Sequence, residues 1–418
     1  MRGTRTHYRT LFHPSEEATL RTDETLASQT QAEHHAGVCP LLQIGLKLLS
    51  QCPIEPMHCV YLGAERRFYQ FLFNAKKNGS KISVKPAELE GMSKTLFAQN
   101  PYYPSEFNRQ LRPLTEWTTY KASELRRLCL YDSFYLLRML ENKQIAKLHS
   151  LLACGIRILE DQNLVERFRS DADRLLRNFA TAGTRLLGEL FPVFNIHCLT
   201  HLADESSRHG ILMNFSAWKY ESYLGQLKRS LRAPGKTLQQ IVLRLLEKRS
   251  AQLSERDAGG AHKDEGAVVA VSLPHAYGPI VGESDEQFQH LSIPDLGKFR
   301  TTSANDLCFV STNDDICVVR NVTIRNRGGD ISVVCNAFLE KEEYFNYPFS
   351  SLALGICKVK RLGLLKTLPV KAMKHKAVLL PLNESDVQSV PNAQWMSNVE
   401  CLCLPMLHHP HDLSEMTD

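Results

Sequence analysis

The chain has no run of 18 or more apolar residues, so no membrane-spanning helix is written in it. Its N-terminal text, MRGTRTHYRTLFHPSEE, lacks the apolar stretch that a secretory signal needs, and the expected location is nuclear or cytoplasmic. Twelve cysteines are scattered from Cys39 to Cys403 without one C-x-x-C pair. That removes the common zinc modules and any dense disulfide framework, leaving buried free thiols as the reading. No segment repeats at a fixed period, which disfavours a solenoid. Charge of one sign is not in large excess either. Lys and Arg number 50 against 45 Asp and Glu, and a net charge of +5 is too small to imply nucleic-acid binding unless the charge is clustered.

What is present is ordinary globular text. With 418 residues, 43% hydrophobic and 23% charged, the chain can form two or three domains with a real core. Residues 1–84 begin polar and turn apolar at GVCPLLQIGLKLL. Residues 85–250 carry helical periodicity, in ASELRRLCLYDSFYLLRML and KQIAKLHSLLACGIRILED, with Leu125, Leu128, Phe134, Leu137 and Leu140 placed for the core. Residues 251–295, rich in Gly, Ser and both charge signs, are expected to be a flexible linker. Residues 296–390 hold short β-rich runs, DLCFV, DDICVVRNVTI and ISVVCNAFL, with Gly328 and Gly329 suited to a hairpin turn. Residues 391–418 are expected to be a tail. The fold class is therefore α+β: a mainly helical region, then a small antiparallel β domain.

Chemistry is suggested at three places. In YESYLGQLKRSLRAPGKTLQQIVLRLLEKR, Tyr220, Leu224, Leu227 and Leu231 form one helical stripe expected to face the core. Glu221, Gly225, Lys228 and Arg232 share the opposite face, where glycine costs about 1 kcal/mol against alanine and lets another molecule approach the backbone. Ala233-Pro234-Gly235 breaks the helix, and Thr237 with Gln240 can cap a second one whose Leu238, Ile241 and Leu245 face inward. From Phe215 to Ser250 there are eight Lys or Arg against two Glu, a local charge of +6 that exceeds the +5 of the whole chain. Such a patch suits a phosphate backbone, and equally a solvated helix face carrying an i,i+4 ion pair.

The second place is IEPMHCVYLGAERR, where Glu55 and His58 stand three apart and can share a metal on a helix, or His58 can simply cap or pack. The third is NIHCLTHLADE. His197 and His201 have the spacing of a zinc-protease motif, but Cys198 occupies the place of its catalytic glutamate, leaving a core role or a more modest metal role.

Taken in order, LRTDETLASQTQAEHH, EPMHCVYLG, YYPSEFNRQLRPLTEWTTYKASELRRLCLY, FNIHCLTHLADE and FSAWKYESYLGQLKRSLRAPGKTLQQIV resemble the CACTA (EnSpm-like) transposases and the animal transposase domain-containing proteins. The likeness is discontinuous and covers roughly residues 18–250, with a weaker echo in the β-rich tail. It implies an RNase H-like DD(E/D) core that cuts and joins DNA with two Mg²⁺ ions held by carboxylates. On this resemblance Glu221 corresponds to the late glutamate of the triad. Glu55 of Glu55-Pro56-Met57-His58 stands where the family has an aspartate. The extra methylene displaces an oxygen by about 1 Å, enough to cost a factor of about 10² in rate.

The family's first aspartate is expected upstream of RTDE, and Asp23 is a poor substitute for it. The chain therefore reads as an N-terminally truncated, transposon-derived protein. Residues 1–84 are a remnant of the transposase core, and residues 85–250 are the helical transposase region that ends in the Glu221 helix. The ancestral Mg²⁺-dependent activity is impaired, with Glu221, Glu55 and His58 as the catalytic candidates. Lys228, Arg229, Arg232 and Lys236 are the candidates for gripping phosphates. DNA is the expected partner, with a homo-oligomer or a full-length transposase as a further one. The alternative is a non-catalytic nucleic-acid or protein interaction module.

Overall fold

The structure is a computed structural model, and it describes residues 4–6, 9–11, 19–31, 35, 37–257, 269–282, 286–325, 329–383 and 399–407. The chain divides into two compact units. One comprises Met1–Lys94, Arg112–Ala217 and Tyr347–Phe349, and the other Thr95–Leu111, Trp218–Asn346 and Ser350–Asp418.

The first unit is helical apart from the short antiparallel pair β1 (Thr4–Thr6) and β2 (Arg9–Leu11). Its helices are α1 (Asp23–Ala27), α2 (Pro40–Gln43), α3 (Arg66–Phe73), α4 (Ala75–Asn78), α5 (Pro86–Gln99, which runs on past the division at Lys94), α6 (Ala122–Arg127), α7 (Ser133–Leu136), α8 (Lys143–Glu160), α9 (Gln162–Leu187), α10 (Phe194–Cys198) and α11 (Leu202–His209). Two further segments, Met57–Glu65 and Leu128–Asp132, are π-helical.

The centre of this unit is the α8/α9 pair. Asn142 caps α8 by accepting the Gln144 N–H at 3.1 Å. Asp161 ends α8 and starts α9, its carboxylate accepting the N–H groups of Asn163 and Leu164 at 2.9 and 3.0 Å. One residue thus closes one helix and opens the next, which reverses the chain sharply. Gly155 lets the pair approach closely, since a Cβ there would lie 2.9 Å from the Leu176 side chain. Leu125, Leu128, Phe134, Leu137 and Leu140 are all buried, as their periodicity requires.

The core of this unit also holds many polar groups. Arg126 meets Glu160 at 3.4 Å, Arg127 meets Asp132 at 3.0 Å, and Tyr135 donates to Asp132 at 2.7 Å. Tyr61 donates to Glu160, and Arg157 donates to the Leu130 carbonyl at 3.2 Å. Pairing of this kind is what makes buried charge tolerable.

The second unit contains α12 (Trp218–Ser230), α13 (Thr237–Asp257) and strands β3 (Ala270–His275), β4 (Glu286–Ile293), β5 (Gly297–Arg300), β6 (Cys308–Ser311), β7 (Ile316–Ile324), β8 (Ile331–Glu343), β9 (Cys357–Pro369), β10 (Met373–Pro381) and β11 (Cys401–Pro405). All pairings are antiparallel. The order β7-β6-β10-β11-β9-β8 returns to β7, so these strands close into a ring, and β4 pairs with the end of β7 while carrying β3 and β5. Closure gives each ring strand a partner on both edges, which removes the open edges of a flat sheet.

Alternate residues of one strand serve two separate cores. Cys308 and Val310 pack with Cys357, Val359, Leu379, Cys401 and Cys403, whereas Phe309 packs with Leu291, Phe299, Val319 and Cys335. Burial on both faces explains why CFV and ICVV are continuous apolar runs rather than alternating ones. A buried ion triad anchors residues 95–111 in this unit: Lys376 Nζ reaches Glu106 and Asp306 at 2.7 Å each, and Asp306 also accepts the Ser105 N–H at 3.0 Å.

Two expected boundaries shift. The linker placed at 251–295 contains the end of α13 and all of β3 and β4, with Leu291 buried. The tail placed at 391–418 contains β11, which pairs with both β10 and β9 and is needed to close the ring. Polar, glycine-rich text around these strands hides them from a reading by composition. The β7–β8 hairpin forms as expected, with Ile324 opposite Ile331, although Gly328 lies outside the described residues. Ten of the twelve cysteines are buried, and all twelve are free thiols.

Candidate functional site

Glu55 and His58 do come together, through a cap. Glu55 Oε1 accepts the N–H groups of Met57 and Ala217 at 2.8 and 2.7 Å and the Ser216 hydroxyl at 3.2 Å. Oε2 accepts the His58 N–H at 2.8 Å and lies 2.7 Å from His58 Nδ1. Burial works against ionisation, but the N–H groups of Ala217 and His58, the His58 ring and the Met57 N–H outweigh it and hold the carboxyl below its ordinary range. Both oxygens are fully engaged, at the N-terminus of the Met57–Glu65 helix where a carboxylate is electrostatically favoured. In this arrangement both Glu55 oxygens serve the cap.

The packing behind Glu55 is equally tight. Gly63 lies on the Met57–Glu65 helix, where a Cβ would fall 2.4 Å from the Asn195 amide and 2.7 Å from the His58 carbonyl. Only glycine lets this helix approach Asn195 of α10 so closely.

Glu221 lies in the first turn of α12 and is half-buried, in the other unit from Glu55. Lys228, Arg229, Arg232 and Lys236 are exposed. A Cβ on Gly225 would meet only the end of the Arg229 side chain, at 3.7 Å, so among the described residues no neighbour requires a glycine there. The loop after α12 is held by Gln240, which accepts the N–H groups of Arg232 and Ala233 at 2.9 and 3.3 Å and donates to the carbonyls of Ala233 and Gly235 at 2.9 and 2.8 Å. Gln240 therefore clamps the interhelical turn instead of forming the expected box with Thr237.

The expected inward stripes are also corrected. Tyr220 and Leu224 are 62% and 57% exposed, and Leu238 and Leu245 are 75% and 40% exposed. Periodicity identifies an apolar face, but it does not supply the element that would cover that face.

His197 and His201 face each other, Nε2 to Nε2 at 3.2 Å, with their rings nearly perpendicular. Burial first, and then the neighbouring His201 charge, push His197 down to about 4; burial and the Arg177 charge also lower His201. Two neutral rings sharing one N–H between them fit these shifts.

A third grouping has no signature in the sequence. Glu65, Cys129 and His149 are all buried in the first unit and bring a carboxylate oxygen, a sulfur and a ring nitrogen within 4.8 Å of one another. Glu65 Oε2 lies 2.8 Å from His149 Nε2. Glu65 ends one π-helical segment, Cys129 lies in the other, and His149 lies on α8. The residues are separated by 64 and 20 positions, so no local spacing rule could have found them.

The comparisons with known proteins concern mainly the β unit. A family model described as "Domain of unknown function (DUF8592)" matches residues 274–395, from the end of β3 through β10 and beyond. No curated protein and no solved structure matches the chain. Among the described residues, no helix is long and apolar enough to cross a membrane.

Proposed function

We propose that this chain is a transposon-derived relative of the DD(E/D) transposases, catalytically impaired, that binds DNA in the nucleus or cytoplasm through the cationic surface of α12 and the loop after it. The observation that carries this reading is the joint exposure of Lys228, Arg229, Arg232 and Lys236 within nine residues, on a segment whose charge exceeds that of the whole chain. Cations presented together on an exposed helix and its following turn release counterions when they meet phosphates, which drives sequence-independent binding. The use of both Glu55 oxygens as a cap supports the non-catalytic side of the reading, since two-metal chemistry needs carboxylates with free lone pairs.

The test is fluorescence anisotropy on duplex DNA, with and without Mg²⁺, together with a nicking assay. The reading expects DNA binding that is indifferent to Mg²⁺ and to Glu221→Gln and is lost in the Lys228→Glu/Arg229→Glu/Arg232→Glu variant. Mg²⁺-dependent nicking abolished by Glu221→Gln would instead establish the catalytic assignment, with Glu221 as a metal ligand.

One observation favours a second reading, a protein interaction module. Tyr220, Leu224, Leu238 and Leu246 are exposed on α12 and α13, and apolar faces of two copies of this hairpin could cover each other. Light scattering would show a dimer that Leu238→Glu/Leu246→Glu converts to monomer; a wild-type monomer across the accessible concentration range would dismiss this reading.

A further inference from the structure

We propose that Glu65, Cys129 and His149 form a buried site for one zinc-class divalent cation inside the helical unit. This goes beyond the DNA-binding reading and does not depend on it, because it concerns other residues and another function of the fold.

The donor set is the first argument. One carboxylate oxygen, one thiolate sulfur and one imidazole nitrogen form a mixed set of borderline softness, which suits Zn²⁺ and is wrong for Mg²⁺ or Ca²⁺, whose ligands are oxygens.

Geometry is the second. All three donor atoms lie within 4.8 Å of one another, and Glu65 Oε2 and His149 Nε2 are 2.8 Å apart. Zinc bonds of about 2.0 to 2.3 Å in a tetrahedron set donor atoms roughly 3.3 to 3.8 Å apart. The Glu65–His149 pair needs to open by only about half an ångström to admit the ion.

Two unsatisfied polar atoms lie at the same place. Glu65 Oε1 and the Tyr69 hydroxyl are both buried without a hydrogen-bond partner. Tyr69 sits with its ring 6.0 Å from that of His149, and its hydroxyl is pushed up by burial and then by the Glu65 charge. A buried acceptor of this kind costs about 1 to 3 kcal/mol or more when left unmet, and a cation would meet it. The three protein donors leave a fourth position, which falls to Tyr69 Oη or a water molecule.

Two of the three donors come from the π-helical segments Met57–Glu65 and Leu128–Asp132, the only π segments among the described residues. A π turn holds one more residue than an α turn and re-aims the side chains that follow it; such turns cluster at functional sites. On binding, the Cys129 sulfur would serve as a thiolate ligand. With Glu65, Cys129 and His149 each 1% exposed or less, the ion would enter during folding and act as a structural staple.

The experiment uses the full chain, purified without a polyhistidine tag or added metal. Elemental analysis should find about one zinc per chain, and X-ray absorption at the zinc edge should show one sulfur among nitrogen and oxygen neighbours. After denaturation with a chelator and refolding with Co²⁺, the wild type should show thiolate-to-cobalt charge-transfer absorption. Cys129→Ser should lose that band, and His149→Gln should lower metal content at least about tenfold. If either variant fails to fold, the wild type still decides the matter. A folded, zinc-free protein whose unfolding midpoint is the same after refolding with Zn²⁺ or with chelator, and which shows no sulfur-bound Co²⁺, would overturn the site.

Discussion

Glu55 Oε1 accepts the backbone N–H of Ala217 at 2.7 Å, joining residues 162 positions apart. The same carboxylate caps the Met57–Glu65 helix, so one side chain fixes both the start of that helix and the residue that immediately precedes α12. Glu55 therefore acts as a structural clasp, and its replacement should be read first in stability.

Glu55→Ala should lower unfolding free energy by about 2 to 4 kcal/mol, because it strands several N–H donors, whereas Glu55→Gln should lose roughly half as much by keeping one acceptor. Urea denaturation checks both. The wild-type contribution is fully present above the ordinary carboxylate range and is lost as pH falls through the lowered value of the folded state, so the difference between wild type and Glu55→Gln should shrink on acidification.

The His197/His201 pair gives a pH effect of the same direction from a different cause. His197 is pushed down to about 4 against an ordinary value of 6.5, so between these values the unfolded chain binds a proton that the folded chain refuses. Stability should rise with pH across that window and fall as pH drops through it, by on the order of 1 to 2 kcal/mol after discounting for partial solvent screening. Arg177, Asp173 and Asp204 face the pair and modulate it. His197→Gln should flatten the profile between pH 6.5 and 4, measured by thermal unfolding.

Lys376 offers a test of the β unit. Its ammonium lies between Glu106 and Asp306, all nearly inaccessible to solvent. Lys376→Met leaves two carboxylates buried without their cation and should destabilise the unit by about 3 to 5 kcal/mol. The triple change Lys376→Met/Glu106→Gln/Asp306→Asn should recover part of that loss.

The α+β division, the buried helical leucines and the β7–β8 hairpin were legible in the sequence because each depends on local period or turn chemistry. Strands β3 and β4 were not, because the polar, glycine-rich text around them hid their local hairpin pairing, and β11 was not, because its partners β9 and β10 lie well before it in the chain. The apolar stripe at Tyr220 and Leu224 was recognised as a stripe, yet its exposure depends on what packs against it, which periodicity does not encode. Glu55 and His58 were legible as a pair with capping among its readings, but the tie to Ala217, far downstream, was not. The Glu65–Cys129–His149 grouping depends wholly on tertiary packing.

The most direct test of the proposed function is the salt dependence of DNA binding. With Lys228, Arg229, Arg232 and Lys236 each neutralising a phosphate, log K should fall against log[salt] with a slope of about −3.6, and each Lys or Arg to Gln replacement should reduce its magnitude by about 0.9, with or without Mg²⁺. A slope unchanged in the quadruple variant, or binding that vanishes when Mg²⁺ is removed, would contradict the account.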